Sequence, residues 1–81
     1  MSPKLRRLSG PAVISVLKGF GFEVINQRGS HVKLRRVQHS NKQTLTVPNH
    51  RELDAGTIAA IFSQASRYIP EHELRPHFYS E

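Results

Sequence analysis

The fold turns on residues 21–35, Gly21-Phe22-Glu23-Val24-Ile25-Asn26-Gln27-Arg28-Gly29-Ser30-His31-Val32-Lys33-Leu34-Arg35. The apolar period here is two. Phe22 and Val24 alternate with Glu23 before Ile25 blurs the pattern towards Arg28, which predicts a first strand. Gly29-Ser30 reads as a turn, and beyond it Val32 and Leu34 alternate with His31, Lys33 and Arg35. Successive strand side chains point to opposite faces, so Val32 and Leu34 address a core while His31, Lys33 and Arg35 share the opposite, wet face.

Upstream of this hairpin the period is that of a helix. Val13, Ile14, Leu17 and Phe20 form one apolar stripe over about three turns. Ser9 is placed to cap its first amides, Pro11 sits in its first turn, Leu8 can staple onto Val13, and Gly19 and Gly21 supply the positive-φ stop. Downstream, the polar stretch Gln38 to Lys42 predicts a hairpin loop. Leu45 and Val47 then alternate with Thr44 and Thr46 in a third strand, which Pro48 ends. A loop through Asn49, His50 and Arg51 leads to Leu53-Asp54, where Asp54 can cap a second helix whose stripe is Ile58, Ile61, Phe62 and Ala65. Glu71-His72-Glu73-Leu74 reads as one short helical turn, and the tail with Pro76, Phe78 and Tyr79 has no assigned place. The predicted order is α-β-β-β-α. The fold class is α+β: a three-stranded antiparallel sheet with two helices on one face and the other face open.

Bulk properties narrow the function. Eighty-one residues suffice for one thin-cored domain, and a chain this short buries only about 60–65% of its unfolded surface. There is no cysteine, so no disulfide supports the core. Met1 to Leu8 is charged and lacks the apolar run of a secretory signal, which makes cytoplasm the expected location. No apolar stretch approaches the roughly 20 residues of a membrane span, and no dinucleotide, P-loop or zinc-protease motif is present. The net charge is +6, from 12 Lys and Arg against 6 Asp and Glu. No acid lies between Glu23 and Glu52, whereas Arg28, Lys33, Arg35, Arg36, Lys42 and Arg51 fall in that interval with His31, His39 and His50. A basic, acid-free central third points to a polyanionic partner, most commonly nucleic acid. The bland alternative is a solvated basic surface kept for solubility.

Leu8-Ser9-Gly10, Gly21-Phe22-Glu23, Gln27-Arg28-Gly29-Ser30-His31, Thr46-Val47-Pro48 with His50, and Gly56-Thr57 opening the last helix stand in an order and spacing that resembles the HicA family. HicA proteins are the toxin halves of bacterial and archaeal type II toxin-antitoxin pairs, with a fold like the double-stranded-RNA-binding domain. The resemblance covers roughly residues 5–69. It implies a single HicA-like domain spanning 1–81, with its core at about 5–69 and residues 70–81 as a tail. It also implies an endoribonuclease that cleaves messenger RNA (an mRNA interferase), with His31 of the Gly-Ser-His motif as the catalytic residue, neutralised by a HicB-type antitoxin. The sequence departs from the family pattern at Ile69-Pro70, where a serine-started short helix is usual, and from Arg75 onward.

The chemistry fits these residue types. RNA can be cleaved without a metal or other cofactor because its own 2′-hydroxyl can attack the adjacent phosphorus. The protein must then remove one proton, supply another to the leaving 5′-oxygen and stabilise the added negative charge. Imidazole suits the proton steps: its ordinary pKa of about 6.5 keeps both forms accessible near neutrality, and positioned acid-base catalysis gives about 10²–10⁴-fold. Arg28, Lys33 and Arg35 can hold phosphate, and Gly29 and Ser30 let it approach the backbone. One histidine supplies an acid or a base, not both at once. His50 is the first candidate for the second group if its loop folds back towards His31, and Lys33 is the second.

Each assignment has a plainer counterpart. A strand-start histidine among basic residues is usually a surface side chain, and it is the family resemblance that raises His31 above that. His39 sits in a polar hairpin loop and reads as solvated surface. His72 and His77 lack a third ligand at zinc spacing, so no metal site is expected. Thr57 reads as a capping aid, although a helix N-terminus near the open face could also receive phosphate, and Ser15 and Ser63 have no triad partners. Two other functions compete. One is a non-catalytic RNA-binding module that holds duplex RNA by shape and phosphate contacts on the same face. The other is an interaction protein that reaches operator DNA only indirectly, through an antitoxin complex.

Overall fold

In the computed structural model, which describes residues 3–80, the order is β1 (Lys4–Leu5), α1 (Gly10–Gly19), β2 (Glu23–Arg28), β3 (His31–Gln38), β4 (Asn41–Pro48), α2 (Ala55–Ala65), α3 (Glu71–Phe78) and β5 (Tyr79–Ser80). The α-β-β-β-α order expected from periodicity is α1 through α2. Strands β2, β3 and β4 pair antiparallel in sequence order, with β3 central. The helices cover one face of this α+β fold. Val32, Leu34, Leu45 and Val47 from the sheet meet Val13 and Leu17 of α1 and Ile58, Ile61 and Phe62 of α2 in one buried cluster.

Both helix starts follow their caps. The Ala12 amide donates to Ser9 Oγ at 3.1 Å, and the Thr57 amide donates to Asp54 Oδ1 at 2.7 Å. The Thr57 amide and hydroxyl hold the Asp54 carboxyl below the ordinary carboxylate range. At the far end of α1 only Gly21 takes a positive φ, of 97°, so Gly19 does not share the stop assigned to the pair.

The end of the chain is more ordered than its sequence suggests. The helix beginning at Glu71 runs on to Phe78. Its Leu74 and Phe78, four residues apart, are wholly buried in the same cluster as the helix–sheet core. Residue 70, at the N-cap, is proline and offers no side-chain acceptor, which removes the signal by which the other helices announce themselves. Tyr79–Ser80 then pairs antiparallel with Lys4–Leu5, and the Arg6 amide donates to the Phe78 carbonyl at 2.8 Å.

The β3–β4 loop is shorter than the polar run from Gln38 to Lys42 implies. Gln38 pairs with Asn41, leaving only His39 and Ser40 between the strands, at φ 51° and 67°. Two positive φ values are the signature of a type I′ hairpin, which favours Asn-Gly. Neither residue is glycine, and left-handed backbone costs an L-residue about 1–2 kcal/mol, of which glycine's greater chain entropy recovers only part. Ser40→Gly is therefore expected to raise stability by about 0.5–1 kcal/mol. Thermal unfolding would register this as a higher Tm, and an unchanged or lower Tm would contradict the turn geometry.

Candidate functional site

A bulge in β2 assembles the site. Val24 pairs with Leu34, but the next partner of β3, Lys33, is met by Asn26, so Ile25 is an extra residue in the edge strand. In an uninterrupted strand Asn26 and Arg28 would share the core-side face of Phe22 and Val24. The extra residue turns both to the open face instead. It also accounts for the blurred alternation at Ile25, a side chain left 42% exposed.

The open face is consequently laid out in cross-strand rows centred on β3. Arg28, His31 and Pro48 form the first, Asn26, Lys33 and Thr46 the second, and Glu23, Arg35 and Thr44 the third, with Val37 and Lys42 beyond them. Directly opposed strand residues lie within side-chain reach of each other. A shallow depression is lined by Asn26, Arg28, His31, Lys33 and Thr46. Three of the residues singled out in the sequence, Arg28, His31 and Lys33, are thus brought together.

The start of β3 is fixed from behind. Gly29 takes φ 55° in a two-residue turn, and its carbonyl accepts from Gln27 Nε2 at 3.0 Å. The Ser30 carbonyl accepts from the Asn49 amide at 2.6 Å, and the His50 carbonyl accepts from the Gly10 amide at 2.7 Å. Gly10 is packed so closely against this loop that a Cβ there would come within 2.8 Å of Asn49 Cα and His50 N and would collide with the Pro48 carbonyl. The N-terminus of α1 therefore holds the 48–50 loop, the loop holds the 29–30 turn, and the turn sets His31 at the edge of the depression.

The other sequence candidates are distributed differently. Gly29 and Ser30 form the turn beside His31 and lie outside the lining of the depression. His50 is exposed, with its backbone tied to α1, and does not line it either. Arg35 is half-buried two rows along, and its Nε is shielded from solvent without a hydrogen-bond partner. His39 is exposed in the tight turn, and His77 packs edge-on against Phe20 with ring centroids 5.6 Å apart.

Arg36, one of the cations of the basic interval, has a structural task. It follows Val32 and Leu34 in alternation and so turns to the helix side, a parity already visible in the sequence. Its Nε donates to Gln43 Oε1, Nη1 to the Phe20 carbonyl and Nη2 to the Tyr68 carbonyl, each at 2.8 Å. Its guanidinium lies 5.0 Å from the centroid of the Phe22 ring.

Residues 10–66 match the family model described as HicA toxin of bacterial toxin-antitoxin, and the chain belongs to that family. No curated protein and no solved structure matches it. The match runs from the start of α1 to the end of α2 and includes the whole basic sheet face, whereas β1, α3 and β5 lie outside it. Membership implies a cognate antitoxin as partner. Among the described residues, no helix is long and apolar enough to cross a membrane.

Proposed function

We propose that this toxin is a metal-independent endoribonuclease that cleaves messenger RNA in the cytoplasm, with His31 as its catalytic residue, and that a HicB-type antitoxin silences it by covering the basic sheet face. The observation that carries this reading is the shared depression: an exposed imidazole flanked by Arg28 and Lys33, with Asn26 and Thr46 as neutral hydrogen-bonding neighbours. No carboxylate lines that surface to repel a phosphate.

In the proposed reaction the 2′-oxygen bonds to phosphorus as the bond to the 5′-oxygen breaks, giving a 2′,3′-cyclic phosphate and a 5′-hydroxyl. His31 takes the 2′-hydroxyl proton. Arg28 neutralises the charge that develops on the non-bridging oxygens, for which a guanidinium fork is well matched. Lys33, in the same depression, is favoured over His50 as the group that supplies a proton to the leaving 5′-oxygen. His50→Ala is accordingly expected to keep full cleavage, and a loss of activity on a gel would return His50 to that role.

The experiment that tests the proposal uses an RNA carrying a single 2′-deoxynucleotide on the 5′ side of a mapped cut. Cleavage there is expected to stop while neighbouring sites are still cut, and the ordinary fragments should end in a cyclic phosphate. Continued cleavage at the deoxy position would overturn the mechanism.

A further inference from the structure

The rows on the open face continue well past the depression. Beyond His31, the central strand places exposed Lys33 and then half-buried Arg35 on the same face, each two residues on, a repeat of about 6.6–6.8 Å along a strand. On the β4 side these are accompanied by Thr46 and Thr44, with Lys42 closing the series opposite Val37. On the β2 side the third row ends in Glu23.

Arg35 is the informative member. Its Nε is buried without a hydrogen-bond partner, and although Glu23 is its cross-strand neighbour, the only ion pair among the described residues joins Arg75 to Glu71. A shielded guanidinium nitrogen with no acceptor is costly unless something else completes it. Arg36, one residue further on, is fully partnered by protein atoms. The contrast separates a cation whose guanidinium is committed to protein acceptors from one on the sheet's other face whose guanidinium Nε has none.

Resting on the ribonuclease reading above, we propose that the substrate is single-stranded RNA lying along β3 on its β4 side. In this arrangement the phosphate at His31 is cut, Lys33 stands between its leaving 5′-oxygen and the next phosphate on the 3′ side, which it holds with Thr46, and the phosphate after that is held by Arg35 with Thr44. The spacing of alternate strand residues is on the scale of an extended nucleotide backbone, so consecutive phosphates meet consecutive cations. Glu23 keeps the strand off the β2 side by charge repulsion. All four Phe and both Tyr lie in or against the core, and the chain has no Trp. The face therefore offers no Phe, Tyr or Trp ring for a base to stack on, and it holds the strand by its backbone. A duplex fits this arrangement poorly, because in stacked A-form geometry the 2′-oxygen is not in line with the leaving 5′-oxygen.

Two measurements test this. In the first, short RNAs with one mapped cleavage position are shortened a nucleotide at a time from either end. Removing the nucleotides that reach Arg35, on one side only, is expected to lower cleavage about tenfold, as expected for loss of one charge-assisted contact. Arg35→Ala should lower cleavage of the long RNA similarly and leave the shortened RNA unaffected. In the second, binding of an uncleavable 2′-deoxy analogue is followed against salt, where Arg35→Ala should reduce the log–log slope by about 0.7, the value for one phosphate of a single strand, and Arg35→Lys should restore it. Equal cutting of duplex and single strand, symmetrical tolerance of shortening, or an unchanged salt slope would overturn the track while leaving a His31 nuclease standing. If nothing is cut yet the slope changes as described, the catalytic reading fails and the track stands.

Discussion

His31→Ala is expected to reduce RNA scission by about 10²–10⁴-fold, the contribution of one positioned acid-base group, with little change in RNA affinity or in Tm. The imidazole is exposed at the start of the central strand, and among the described residues its side chain makes no hydrogen bond to the protein. Surface substitutions of this kind usually change stability by no more than about 0.5 kcal/mol. Arg28 and Lys33, which line the same depression, remain in the variant to hold phosphate. Single-turnover cleavage together with a gel shift separates the two effects. A variant that cuts at the native rate, or one that loses binding and cleavage in equal proportion, would contradict a catalytic role for the imidazole.

Arg36→Ala is expected to destabilise the fold by about 2–4 kcal/mol, a loss typical of dismantling a partly buried charge-assisted network. The variant strips the Phe20 and Tyr68 carbonyls, which follow the ends of α1 and α2, of their donors and frees Gln43 as well. It also uncovers the Phe22 ring, which is itself only 1% exposed. For a domain of this size each kcal/mol lowers Tm by about 4–8 °C, so the loss is plain in a melting curve. Arg36→Lys recovers only a minor part, because a single ammonium cannot span three acceptors held in a fixed fork. A Tm within a degree or two of the native value would show that the network adds nothing to stability.

These two arginine and histidine positions mark how far the sequence could be read. The capped helices were legible because Ser9 and Asp54 precede clean 3.6-residue stripes, and the amides they satisfy are the ones the stripes require. The β3 faces were legible because Val32 and Leu34 alternate strictly with His31, Lys33 and Arg35. The same parity extended one step would have placed Arg36 on the helix side, but a run of like charges disguised it as surface.

What stayed hidden depends on contacts between segments. The bulge at Ile25 exists only relative to its partner strand, and without it Arg28 belongs to the wrong face. Helix α3 lacks a side-chain cap and contains Pro76, so beyond the acids of its first turn, Glu71 and Glu73, its extension to Phe78 is signalled only by the Leu74–Phe78 spacing and the basic last turn. The ribbon of β1 and β5 is two residues per strand and joins opposite ends of the chain, beyond the reach of any local pattern. Gly10 looks like part of a helix start, and its close approach to Pro48, Asn49 and His50 appears only in three dimensions. The site is affected by the bulge and by the Gly10 contact, since bulge, loop and turn together decide which side chains surround His31.

The most direct test of the central claim is incubation of the purified chain, beside its His31→Ala variant, with a long unstructured RNA in excess EDTA, read on a denaturing gel. Fragments from the native chain and intact RNA from the variant are predicted. Intact RNA with both proteins, while both still shift the RNA on a native gel, would contradict the nuclease and leave a module that binds RNA without cutting it.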